Sequence, residues 1–152
     1  MTKVAVVFAE GFEEIEALSP VDVFRRAGFD CSMLGLESAS VTGSHGIQVA
    51  MDGVFDGNFA DYDLVVLPGG MPGSTNLRDN QALIAFFKRL QKLENTLLPF
   101  VQHQLFSNVL ALRRSKFTCF PGVEEQIASG EHQTDLVVVD GNIVTSRGAG
   151  TA

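Results

Sequence analysis

The chain has no tryptophan, a single tyrosine and only two cysteines. Two thiols cannot staple a small secreted scaffold, so a disulfide framework is not expected. Cys31 and Cys119 lie in apolar, strand-like runs without metal-ligand spacing around them. Neither a metal nor a cofactor is expected from the sequence. Positive charge is also scarce, with 11 Lys and Arg against 18 Asp and Glu and a formal net charge of -7. Phosphate recognition needs clustered Lys and Arg, so this balance argues against a nucleic-acid partner and against an anionic membrane surface. No apolar run approaches the ~20 residues that span a bilayer. The opening MTKVAVVFAEGFEE runs straight into acids, unlike a secretory leader. A cytoplasmic protein is expected.

What is present suits one globular domain: 152 residues, 45% of them hydrophobic and 19% charged. Residues 3–8, KVAVVF, form the continuous apolar run of a strand buried on both faces. A helix is predicted near 12–27, with Ile15, Leu18, Val21, Val23 and Phe24 at roughly helical spacing and Gly28 as its stop. Pro20 inside it predicts a kink or two shorter helices. Further strands are expected near 30–36, 63–67, 116–120 and 135–139, with LVVL at the centre of the sheet and a hairpin turn at Asp140-Gly141. Residues 40–57, dotted with glycine and alternating in polarity, read as an antiparallel excursion. A second helix near 80–93 carries Leu83, Phe86, Phe87, Leu90 and Leu93 on one side.

Alternating strands and helices imply a mostly parallel sheet covered on both faces. Ligands in such sheets bind beyond the carboxyl ends of the strands. Three loops should lie there: Ala9–Glu14, Pro68–Gly73 and the segment near Phe100. No G-x-G-x-x-G follows a strand, which leaves a phosphate-cradling, flavodoxin-like binding domain without its motif.

Four segments, in order, carry a family resemblance. They are FAEGFEEIEALSPVDVFRRAG at 8–28, DYDLVVLPGGMPGSTNLRDN at 61–80, KFTCFPGVEEQI at 116–127 and DGNIVTSRGAGTA at 140–152. Together they resemble the ThiJ/PfpI family, the superfamily of the parkinsonism-associated deglycase. The resemblance implies a single flavodoxin-like three-layer α/β sandwich of the class I glutamine amidotransferase-like type, most often dimeric. It implies glyoxalase or deglycase chemistry on a small carbonyl substrate, with peptidase, chaperone and oxidative-stress sensing as other family activities.

Residue by residue, the resemblance puts the family's proton-shuttling glutamate at Glu16 and its oxyanion glycine at Gly70. A family histidine before a proline falls on Phe120, ahead of Pro121, so no imidazole assists from there. The basic residue that reaches across the dimer falls near His45, with Arg25 and Arg26 as further candidates. Each position also has a plainer account. Glu16 can be a solvated first-turn acid favoured by the helix dipole. Gly69 and Gly70 can simply make a tight turn. Cys119 is either a buried strand residue or a reactive thiol beside the pocket.

The family's nucleophile is a cysteine on a sharp turn, written A-x-x-I-C-A-x-P, and it should fall between Asn95 and Lys116. The chain reads TLLPFVQHQLFSNVLALRRS there and has no cysteine. Synonymous codons exist for Thr96 to Ser107 whose bases, read two positions along, spell I-A-A-I-C-A-A-P-I-V-L. The cysteine codon of that reading straddles Phe100 and Val101, the elbow position. Residues 96–115 are therefore expected to be a frame-shifted stretch between in-frame flanks, and the chain to be catalytically silent. The family's last helix begins where SRGAGTA ends the sequence, so exposed apolar sheet surface is also expected.

Overall fold

The computed structural model describes residues 1–92, 100–102, 116–127 and 130–151. Its strands are β1 (Lys3–Phe8), β2 (Asp30–Gly35), β3 (Ser40–Thr42), β4 (Gln48–Ala50), β5 (Gly53–Val54), β6 (Leu64–Leu67), β7 (Phe100–Gln102), β8 (Lys116–Phe117), β9 (Glu131–His132), β10 (Val137–Asp140) and β11 (Ile143–Ser146). Its helices are α1 (Glu14–Arg26), α2 (Gly73–Asp79) and α3 (Gln81–Lys92).

Seven strands form the main sheet in the order β10-β11-β7-β6-β1-β2-β5. Every described pairing in it is parallel except the β10–β11 hairpin at one edge. The strand LVVL is the central one. β1 has no solvent-facing side, because Val4 to Phe8 are all fully buried. Its alternate residues feed two cores. Val4, Val6 and Phe8 pack with Ala17 and Val21 of α1. Ala5 and Val7 pack on the other face with Leu77 of α2 and Leu83, Phe86 and Phe87 of α3. The result is the expected three-layer sandwich.

Several local expectations need correction. Of the kink and the split expected at Pro20, the split does not occur, and α1 runs on through Pro20 as one helix. Its buried face is Glu14, Ala17 and Val21, while Ile15 and Val23 face solvent at 53% and 60% exposure. Residues three, four and seven apart share a helix face, so burying Ala17 and Val21 turns Ile15 and Val23 outward. Residues 116–120 do not join the main sheet. Only Lys116 and Phe117 form strand, pairing with β9 in a separate two-stranded parallel sheet. Beyond them the backbone is held by side chains: Thr118 N donates to Thr145 Oγ1 (2.9 Å) and Thr118 Oγ1 donates to the Asp135 carbonyl (2.6 Å). The antiparallel excursion is present as β3–β4. The hairpin turn is also present, with Gly141 at φ +60. The Leu90 and Leu93 side chains fall outside the described residues. Leu136, Val137 and Val139 are exposed apolar side chains at the β10 edge. No described helix is long and apolar enough to cross a membrane.

Candidate functional site

The loops that leave β1 and β6 meet backbone against backbone. Glu13 N donates to the Gly69 carbonyl (2.7 Å) and Gly73 N to the Gly11 carbonyl (3.2 Å). Only glycine permits this approach. A Cβ on Gly70 would collide with Glu13 N and stand 2.5 Å from the Gly11 oxygen, and Gly70 has φ +98. A Cβ on Gly11 would run into Pro72, and one on Gly73 would sit 2.8 Å from the Gly11 oxygen. The Gly pair thus makes a tight turn whose shape is fixed by what lies across from it.

Glu16 stands at this junction. Its Oε2 accepts the Gly69 N–H at 2.7 Å. The Gly69 amide is therefore occupied, whereas the Gly70 N–H has no partner among the described residues. The other oxygen, Oε1, faces the S-R-G-A-G turn, where a Cβ on Gly148 would come within 4.0 Å of it and 3.3 Å of the Phe120 ring. Phe120 is largely exposed, and its ring borders the same Gly148 turn. Burial, reinforced by the charge of Glu13, raises the Glu16 carboxyl above its ordinary range against the lowering effect of the Gly69 amide. A carboxyl raised in this way keeps its proton to higher pH than a free one, as a general acid requires.

β7 lies between β6 and β11, with Val101 opposite Val66 and Val144, and Gln102 opposite Leu67 and Thr145. Its carboxyl end therefore leaves the sheet beside the end from which Pro68–Gly70 departs. Phe100 and Val101 sit within the strand itself rather than beyond it. Their side chains, and residues 103–115 with His103 and Ser107, lie outside the described residues.

Cys119 is 1% exposed. Its thiol is 3.7 Å from Glu124 Oε2. Burial and then the Glu124 charge push it up to about 11. The thiolate is the nucleophilic form, so this is the environment of an unreactive thiol. Iodoacetamide is expected to label Cys119 slowly in the folded protein and promptly only after denaturation, as followed by mass spectrometry. Fast stoichiometric labelling of the native protein would show that Cys119 is accessible and ionised.

His45 is held by this chain's own acids. Its backbone N–H donates to Glu14 Oε1 and its Nδ1 lies 2.8 Å from Glu14 Oε2. Gly43 makes room for this clasp, since a Cβ there would strike the Glu14 carboxyl. Arg26 pairs with Asp22 one turn back on α1. Arg25 ties α1 to Asp52 and to the Cys31 carbonyl. Glu14 was not singled out in the sequence. Its one signal is the run of three acids at 13–16, which does not say which carboxylate is buried.

The Glu14–His45 clasp gives a pH signature. Burial alone would raise Glu14, but the hydrogen bonds from His45 outweigh it and hold the carboxyl at about 2. Its contribution to stability is complete above the ordinary carboxylate value of 4.5 and lost as pH falls toward 2. His45 is raised from 6.5 by the same carboxylate. Its contribution is complete below 6.5 and lost as pH rises through the raised value. Urea midpoints should therefore peak between those limits, and His45→Ala should flatten the peak. Identical profiles for the two proteins would contradict the clasp.

A mostly parallel sheet with helices packed on both faces places the chain in the flavodoxin-like α/β class. Its sequence matches the DJ-1/PfpI family over residues 2–152, and the chain belongs to that family. Protein DJ-1 homolog B of Arabidopsis thaliana is 31% identical over 160 residues, covering 99% of this chain but only 35% of that longer protein. A deglycase of Pyrococcus horikoshii is 31% identical over 150 residues, with 95% and 89% of the two chains covered. A cysteine-to-alanine mutant of a DJ-1 superfamily protein from Salmonella typhimurium superposes with a TM-score of 0.86 at 33% identity, over 99% of this chain and 84% of that one.

Proposed function

We propose that this chain carries the acid–base and oxyanion half of a cysteine-dependent site for small reactive carbonyls, and lacks the nucleophilic half. The observation that carries this is the 2.7 Å bond from Gly69 N–H to Glu16 Oε2, which sets a raised carboxyl at the Gly69-Gly70 turn, whose Gly70 N–H has no partner among the described residues. With an elbow cysteine at the Phe100–Val101 position, the thiolate would add to the aldehyde carbon of a 2-oxoaldehyde. A C–S bond forms, the carbonyl π pair moves to oxygen beside the Gly70 amide, and Glu16 supplies the proton to that oxygen. A relative named as a deglycase, alike over nearly the whole chain, supports this substrate class. As it stands the chain should turn over methylglyoxal no faster than buffer does. Thiol-dependent turnover by this chain would contradict the assignment of the missing half.

The elbow is encoded, in this account, by the bases of codons 96–107 in a shifted frame. Sequencing the source DNA should return codons whose bases, read two positions along, spell I-A-A-I-C-A-A-P-I-V-L. Codons that spell anything else in that frame would remove the idea.

A non-enzymatic oxidation sensor on the same fold is less well supported, because sensing needs an accessible, low-pKa thiol and Cys119 is neither. A homodimer through the α1 and β3–β4 side would use the exposed Ile15 of α1 and Ile47 between β3 and β4. In such a contact His45 would act while clasped to Glu14.

A further inference from the structure

Three donor side chains far from Glu16 in role are brought together by the small β8–β9 sheet. Its parallel register sets Phe117 opposite His132, and the two rings lie 5.5 Å apart, which seats the imidazole. Two residues past Phe117, the buried Cys119 sulfur faces the turn that follows. There Glu124 Oε2 accepts the Gly122 N–H at 2.7 Å and stands 3.7 Å from Cys119 Sγ. One donor atom from each of Cys119, Glu124 and His132 lies within 4.8 Å of the other two. Ligands at zinc bond lengths of about 2.0–2.3 Å in a tetrahedron are about 3.3–3.8 Å apart, so closure by roughly an ångström completes the geometry.

We propose that Cys119, Glu124 and His132 bind one divalent ion of borderline softness, zinc being the best match, with a fourth position open to solvent. Sulfur with imidazole and carboxylate is a donor set that zinc accepts and that calcium and magnesium do not favour. The buried sulfur comes from β8's continuation, the carboxylate from the following turn and the imidazole from β9. A bound ion would therefore pin β8, the turn after it and β9 to one another. On binding, the Cys119 S–H proton passes to solvent as the sulfur–metal bond forms. The second mixed cluster, Glu13, Glu14 and His45, offers no sulfur, and its Glu14 oxygens are already engaged by His45 and Ser44. It serves as the internal control.

The test uses the whole chain, stripped of metal by dialysis against chelator and titrated with Co²⁺ and then Zn²⁺. The expected result is one equivalent of Co²⁺ with a sulfur-to-cobalt charge-transfer band in the near ultraviolet, displaced by Zn²⁺. Cys119→Ser should abolish the band. His132→Ala, at an exposed position that leaves the core intact, should weaken affinity at least about 10-fold, the lower end of what even outer ligand partners contribute. Cys31→Ser and His45→Ala should change neither. The proposal is overturned if no ion is taken up at micromolar concentrations, if the band survives Cys119→Ser, or if His132→Ala binds as tightly as the parent chain.

Discussion

Gly70→Ala should leave little folded protein. The new methyl group has no free direction, since it meets Glu13 N and the Gly11 and Phe12 backbone, none of which can swing away like a side-chain tip. The φ of +98 adds strain of about 1–2 kcal/mol for any residue with a Cβ. Relieving the clash means parting the β1 and β6 loops, which breaks Glu13 N–H to the Gly69 carbonyl and Gly69 N–H to Glu16. The combined cost is on the order of 4–5 kcal/mol, the exceptional end of single substitutions and a large part of a domain's stability. Gly28→Ala is the matched control, because Gly28 has φ +81 but open space around it. It should lose only about 1 kcal/mol. Urea unfolding of the two variants side by side decides the matter, and equal midpoints would mean that the two loops are not locked.

That lock was only half legible in the sequence. L-P-G-G after an apolar run announced a turn, and the family resemblance attached a role to it. The opposing wall was not legible, because the spacing of Gly11 and Gly70 along the chain says nothing about their approach. β1 and β6 were legible for a simple reason: a strand buried on both faces is apolar at every position. α1 was less so. Ile15 and Val23 suggested its buried face, yet the helix buries Glu14 instead, where Ser44 and His45, about 30 residues away in sequence, satisfy its carboxylate. The run at 116–120 looked like a sheet strand by composition. Thr118 instead spends both its amide and its hydroxyl on Thr145 and Asp135. Cys119, Glu124 and His132 converge through a parallel pairing that no motif spacing announces.

The second large effect concerns Glu16. In a chain whose residues 96–115 are restored to the elbow-encoding frame, Glu16→Gln should lower kcat by about 10²–10⁴-fold, the span that a positioned proton donor supplies. The amide oxygen of glutamine can still accept the Gly69 N–H, so the urea midpoint should scarcely move. Glutamine cannot carry the proton, and the limb of the pH–rate profile that belongs to the raised Glu16 carboxyl should vanish. A structural role alone would instead shift the midpoint and leave kcat and the profile unchanged.

The most direct measurement compares methylglyoxal turnover by the chain as it stands and by the elbow-replaced chain, both shown to be folded. Turnover confined to the elbow-replaced chain, and lost again when its new cysteine is alkylated, is the predicted result. Equal turnover by both chains, or none by either, would contradict the claim that the β1 and β6 loops hold a working site that lacks only its nucleophile.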